Sequence, residues 1–129
     1  MRLVMDLGPV EAAGLLAGIV QANLMQISEA GKAQSFPVTR GLAAGKIKYV
    51  KADPNEEWKT WSQVLEDGAG DCEDLAPAVA SELVAAGIVA RPVAYQARPG
   101  LWHVVVEVQG VPGVDFIDPS REGGMGDIA

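Results

Sequence analysis

The chain has 129 residues, enough for one domain with a real core, and its 49% hydrophobic and 21% charged content is that of a globular protein. A net charge of −7 with no run of Lys or Arg argues against a nucleic-acid surface. The apolar run from Ala12 to Val20 is shorter than the roughly 20 residues that cross a bilayer, and Asp6 and Glu11 stand where an export signal would be positive. A single cysteine cannot close an internal disulfide, so a reducing, cytoplasmic setting without membrane contact is expected.

In chain order, Gly8-Pro9-Val10-Glu11 predicts a helix start, because proline at the first helical position loses no hydrogen bond. Leu16, Val20, Leu24 and Ile27 then recur at helical spacing, with Leu15 and Ile19 widening the stripe and Gly31 as the stop. Gly14 and Gly18 read as small residues under a neighbouring element. Residues 32 to 46 carry Ser, Pro, Thr and several Gly and read as irregular; residues 47 to 51 read as a short strand or a helix end. Asp53-Pro54-Asn55 predicts a turn, and residues 61 to 66 a helical turn leading into the Gly68 and Gly70 loop.

From Cys72, the apolar residues Leu75, Ala76, Val79, Leu83 and Val84 keep helical spacing up to Gly87, with Pro77 as a discord. Residues 93 to 97, 102 to 108 and 114 to 117 predict three antiparallel strands. Alternation in the middle strand sets Trp102, Val104, Val106 and Val108 against His103, Val105 and Glu107, and the cysteine helix is expected on the His103 face. The fold class expected is therefore α+β, helices on a small antiparallel sheet.

The chemistry centres on Gly68-Ala69-Gly70-Asp71-Cys72-Glu73-Asp74, where a glycine-flanked turn delivers the one thiol to a helix N-terminus. Unpaired N–H groups and the helix dipole there favour thiolate. A lone cysteine is more often a small buried hydrophobe, yet the polar residues on both sides argue for reactivity. Asp71, Glu73 and Asp74 oppose the helix by raising the thiol pKa. His103, the single histidine, is the candidate base, and Asp118 the candidate for orienting its ring. One Cys and one His leave two metal ligands to be found among carboxylates, so no metal and no cofactor are expected.

Residues 49 to 54 (Tyr-Val-Lys-Ala-Asp-Pro), Trp58 and Trp61, the run from Val64 to Ala76, residues 87 to 93, the His103 strand and Asp118-Pro119-Ser120 together carry a resemblance. The chain resembles the transglutaminase-like (bacterial transglutaminase-like cysteine proteinase) domains of the papain-like class over roughly residues 45 to 120. Residues 1–44 then form an N-terminal helical region and 121–129 a glycine-rich tail of the same single domain. The resemblance implies Cys72 as nucleophile, His103 as base and Asp118 as orienting acid, with Trp61 or Gln63 as oxyanion or cleft residues. It also implies thiol-dependent acyl transfer on a peptide or protein substrate. Hydrolysis is favoured over cross-linking, since so short a chain advertises no acceptor-amine site. The rival expectation is a non-enzymatic subunit that keeps this fold in a larger assembly, such as a bacteriophage particle, with the tail as a contact to protein partners.

Overall fold

The computed structural model describes residues 9–51 and 58–125. The Asp53-Pro54-Asn55 turn and residues 126–129 of the tail lie outside them. Helix α1 (Pro9–Glu29) buries Ala12, Leu16, Val20, Asn23 and Ile27 along one face. The polar member of that stripe has a use: Asn23 Oδ1 accepts the Trp61 backbone N–H at 2.7 Å. Leu15 is exposed rather than part of the stripe, and a Cβ on Gly14 or Gly18 would meet open space, so neither glycine lies under a neighbour.

Residues 32 to 46 are not wholly irregular, because α2 (Pro37–Ala43) lies within them. No local side chain caps this helix, and Phe36 before it adopts a left-handed conformation. The cap is supplied from far along the chain. Glu82, itself buried, accepts the Val38 and Thr39 N–H groups at 2.8 and 2.9 Å, the Thr39 hydroxyl at 2.7 Å and the Trp61 indole N–H at 2.9 Å. Four donors on one carboxylate tie α2 and α3 (Trp61–Asp67) to the helix that carries Glu82.

Strands β1 (Lys48–Tyr49) and β2 (Ala69–Gly70) form a parallel pair that sets Tyr49 beside Gly70, at the threshold of the cysteine turn. Helix α4 (Cys72–Ala85) is buried from Glu73 to Leu83 and is the central element of the core. Asp71 caps it, accepting the N–H groups of Glu73 and Asp74, while Asp74 accepts the Asp71 N–H in return. Pro77 is accommodated within the helix, and the Pro77 carbonyl accepts the Ser81 hydroxyl at 2.6 Å.

Strands β3 (Val89–Arg98), β4 (Leu101–Gln109) and β5 (Phe116–Ile117) form the three-stranded antiparallel sheet in that order. Pro92 falls on the edge strand β3 opposite Val106. Helix α4 packs on the Val104, Val106 and Val108 face, with Ala90, Ala94 and Ile117 joining the same core. This corrects the expectation that α4 covers the His103 face. Both faces of β4 are rich in valine, but one carries three valines in register and the other interrupts Val105 with His103 and Glu107, so the uninterrupted stripe takes the helix.

Short helix α5 (Pro119–Glu122) follows β5, and the chain then returns to β1. The Gly123 carbonyl accepts the Tyr49 N–H at 2.9 Å, and the Ser120 carbonyl accepts the Met125 N–H at 3.0 Å. The start of the tail is therefore held by the chain's own residues. A Cβ on Gly123 would lie 2.7 Å from the Tyr49 nitrogen and 3.2 Å from the Leu42 side chain. Gly123→Ala is expected to cost about 1–3 kcal/mol through this overlap, read as a lowered thermal midpoint against wild type.

Candidate active site

The thiol, the imidazole and the carboxylate converge where β5 ends. Along β4, Val108 donates to the Asp115 carbonyl and Val106 pairs with Ile117, so alternate residues of β4 face β5. The next in that series is Val104, whose counterpart would be Pro119, by which point the chain has turned into α5. The Val104 N–H is instead directed at Cys72, the first residue of α4, and it is the backbone group that favours the thiolate there. His103 is one residue earlier on β4, buried, with Nε2 2.9 Å from Asp118 Oδ2. Asp118 caps α5 through its other oxygen, which accepts the Arg121 N–H at 3.3 Å. Its position is thus fixed from both sides.

Cys72 and His103 are brought to the same stretch of strand without a direct hydrogen bond between them among the described residues. The Asp118 contact also shows in its acidity. Burial alone would raise the carboxyl, but the His103 hydrogen bond and charge, followed by Arg121, hold it below the usual value.

The thiol departs from the expectation drawn from its helix terminus. Burial first, then the charges of Glu73 and Asp71, push it up to about 12. The helix terminus does not offset this, because the N–H groups of Glu73 and Asp74 are taken by the Asp71 carboxylate. Burial and Asp71 also push Glu73 up to about 8 and Asp74 to about 7. Iodoacetamide alkylation of Cys72 in the unliganded protein should accordingly keep rising above pH 9 rather than level off near neutrality.

The two raised carboxyls carry a stability consequence. Between their ordinary values near 4 and their folded values near 7 and 8, the folded state binds more protons than the unfolded one, so stability falls as pH rises. Their contribution is fully present below about pH 4 and lost by about pH 8, whereas the lowered Asp118 acts oppositely, losing its contribution in acid. The thermal midpoint should therefore decline from pH 5 to pH 8, and Glu73→Gln should flatten the upper part of that decline.

Two of the sequence candidates are engaged elsewhere. The Trp61 indole is in the core with its N–H on Glu82, and Gln63 Oε1 accepts the Thr60 N–H at 2.8 Å to close the capping box of α3. Two residues not singled out for chemistry lie close by. The Lys59 N–H bonds Asp74 Oδ1 at 2.8 Å, one residue after Trp58, whose buried indole N–H has no hydrogen-bond partner among the described residues. The Tyr49 phenol is held above its usual pKa by burial and by the charges of Cys72, Asp71 and Glu73, so it shares their neighbourhood. Tyr49 and Trp58 are both aromatic residues just upstream of the cysteine turn, and both lie in the stretches that carry the resemblance. Among the described residues, no three of His, Cys, Asp and Glu form a group able to hold a metal ion.

A cysteine opening a central helix, packed on an antiparallel sheet whose middle strand carries a histidine bonded to an aspartate just past the edge strand, defines an α+β domain of the papain-like, transglutaminase-like type. The model of the transglutaminase-like superfamily matches residues 29–116, more than half of the chain, and the chain belongs to that superfamily. The match stops just short of Asp118. The fold is similar to the periplasmic domain of TgpA from Pseudomonas aeruginosa, solved bound to ethylmercury, with a TM-score of 0.50, 23% identity, 92% of this chain covered and 46% of that one. A "putative cysteine protease" from Cytophaga hutchinsonii is similar with a TM-score of 0.48, 20% identity, 68% of this chain covered and 32% of that one. The chain thus spans less than half the length of either. No curated protein matches it.

Proposed function

We propose that the protein is a thiol-dependent acyl-transfer enzyme that hydrolyses a peptide or side-chain amide, with Cys72 as nucleophile, His103 as acid and base, and Asp118 as the group that orients the imidazole. The observation that carries this reading is the 2.9 Å contact of His103 Nε2 with Asp118, one residue from the strand N–H that meets Cys72. Membership of the transglutaminase-like superfamily supports it.

A thiol held at about 12 is protonated at neutral pH, so the nucleophile forms as it attacks rather than waiting as an ion pair. His103 Nδ1 takes the proton while sulfur bonds to the amide carbon, and Asp118 stabilises the imidazolium through Nε2. The Cys72 backbone N–H, together with the Trp58 indole N–H, which has no hydrogen-bond partner among the described residues, serves the developing oxyanion in place of Trp61. The imidazolium then protonates the leaving amine. A water, deprotonated by His103, attacks the thioester and restores the thiol. The test is release of amine or ammonia from unmodified and glutaminyl peptides, expected with wild type and abolished in Cys72→Ala. Equal release by both proteins would overturn the reading.

A further inference from the structure

Beyond its chemistry, the site has a neighbouring groove. Register places Val93 and Tyr95 of β3, His103 and Val105 of β4 and Phe116 of β5 on the sheet face turned away from α4, and Asp118 follows Phe116 by two residues along the same face. Val93, Tyr95, Val105 and Phe116 line an open groove of about 370 Å3 there. Phe116 is 59% and Tyr95 41% exposed. Single exposed apolar residues are ordinary, but a contiguous apolar set beside a reactive centre is not.

The groove has two ends of different character. At one, the Tyr95 ring meets the His103 ring edge to face, with centroids 5.8 Å apart and planes at 89°. At the other, Arg91 Nε and Glu107 Oε1 form an ion pair at 2.9 Å. The apolar floor therefore runs from the imidazole to a polar stop only two residue pairs away. Its volume lies at the low end of ligand clefts, which suits one bulky side chain rather than an extended molecule.

We propose that this groove is a substrate subsite, taking a leucine- or phenylalanine-sized side chain of the polypeptide next to the carbonyl that Cys72 attacks. The inference rests on the reading of Cys72 as nucleophile. Its test uses N-acetyl-aminoacyl chloromethyl ketones carrying Gly, Ala, Leu or Phe beside the reactive group. Cys72 sulfur bonds to the methylene carbon, chloride leaves, and the thiol proton passes to His103 and then to solvent. Intact mass against time gives the labelling rate constant for each probe.

The Leu and Phe probes should label at least tenfold faster than the Gly probe, and Phe116→Ser should cut that ratio at least threefold. Val93→Ser, on the opposite wall, should do the same and serves if Phe116→Ser does not fold. Equal rates for all four probes would overturn the subsite while leaving Cys72 reactivity standing. Failure of every probe to label Cys72 would overturn the nucleophile reading and the subsite with it. An unchanged ratio in both variants places the preference elsewhere; if Phe116→Ser also converts a sedimenting dimer to monomer, the face belongs to self-association. Either result removes the proposal.

Discussion

Asp118→Ala is expected to leave the protein folded and to lower turnover on an amide substrate by roughly 10³–10⁴-fold, with little change in KM. The loss follows from the single contact between Asp118 Oδ2 and His103 Nε2 at 2.9 Å. Without it the imidazole loses both its orientation and the charge that stabilises its protonated form. Asp118 also caps α5, so the alanine variant should lose about 1 kcal/mol of stability as well. Asp118→Asn separates the two roles. Its carboxamide oxygen can still cap α5, but a neutral partner does not stabilise imidazolium, so it should be stable and nearly as slow. Steady-state kinetics beside thermal melts decide the matter, and an Asp118→Asn enzyme within tenfold of wild type would remove Asp118 from the mechanism.

Glu82→Ala should be the most damaging single change to the fold, costing about 3–5 kcal/mol. One carboxylate accepts from Val38, Thr39 and Trp61, and its loss strands the buried Val38 N–H and indole N–H without partners. A stranded buried donor costs about 1–3 kcal/mol, and a typical domain has only about 5–15 kcal/mol in total. Glu82→Gln should recover part of the loss, since its oxygen can still accept while its amide nitrogen meets donors. Urea denaturation measures both variants. A cost below about 1 kcal/mol for Glu82→Ala would show that α2 and α3 are held chiefly by apolar packing.

Glu82 also shows why α2 was hidden in the sequence. Helix starts are legible when Ser, Thr, Asp or Asn stands at the cap, as Asp71 does before α4. The cap of α2 comes from 44 residues further along the chain, and no local pattern announces it. The signal was present at the other end, as a charged residue inside the apolar run of α4. The strands of the main sheet were legible in kind and order, and β3 runs longer than its alternation implied because its exposed face continues to Val89.

The site was legible as residue types and less so as energetics. His103 and Asp118 meet as their positions at a strand and a strand end imply, because β5 ends where α5 begins. The thiol pKa was misread because its burial, the largest cause of the rise, and the nearness of the Glu73 and Asp71 charges are products of packing, while Asp71 also takes two N–H groups that the sequence counts as free donors. Trp61 and Trp58 are near neighbours and indistinguishable by composition. Only packing reveals that the first indole serves Glu82 and the second has no partner among the described residues.

The central claim is that Cys72 forms a covalent acyl intermediate with help from His103. Acid quenching of the protein during turnover of a peptide amide or activated ester, followed by intact and peptide mass spectrometry, tests it directly. The account predicts an acyl adduct on the Cys72 peptide, absent in Cys72→Ala and forming at least a hundredfold more slowly in His103→Ala. Turnover with no adduct on Cys72, or an adduct that forms equally fast without His103, would contradict it.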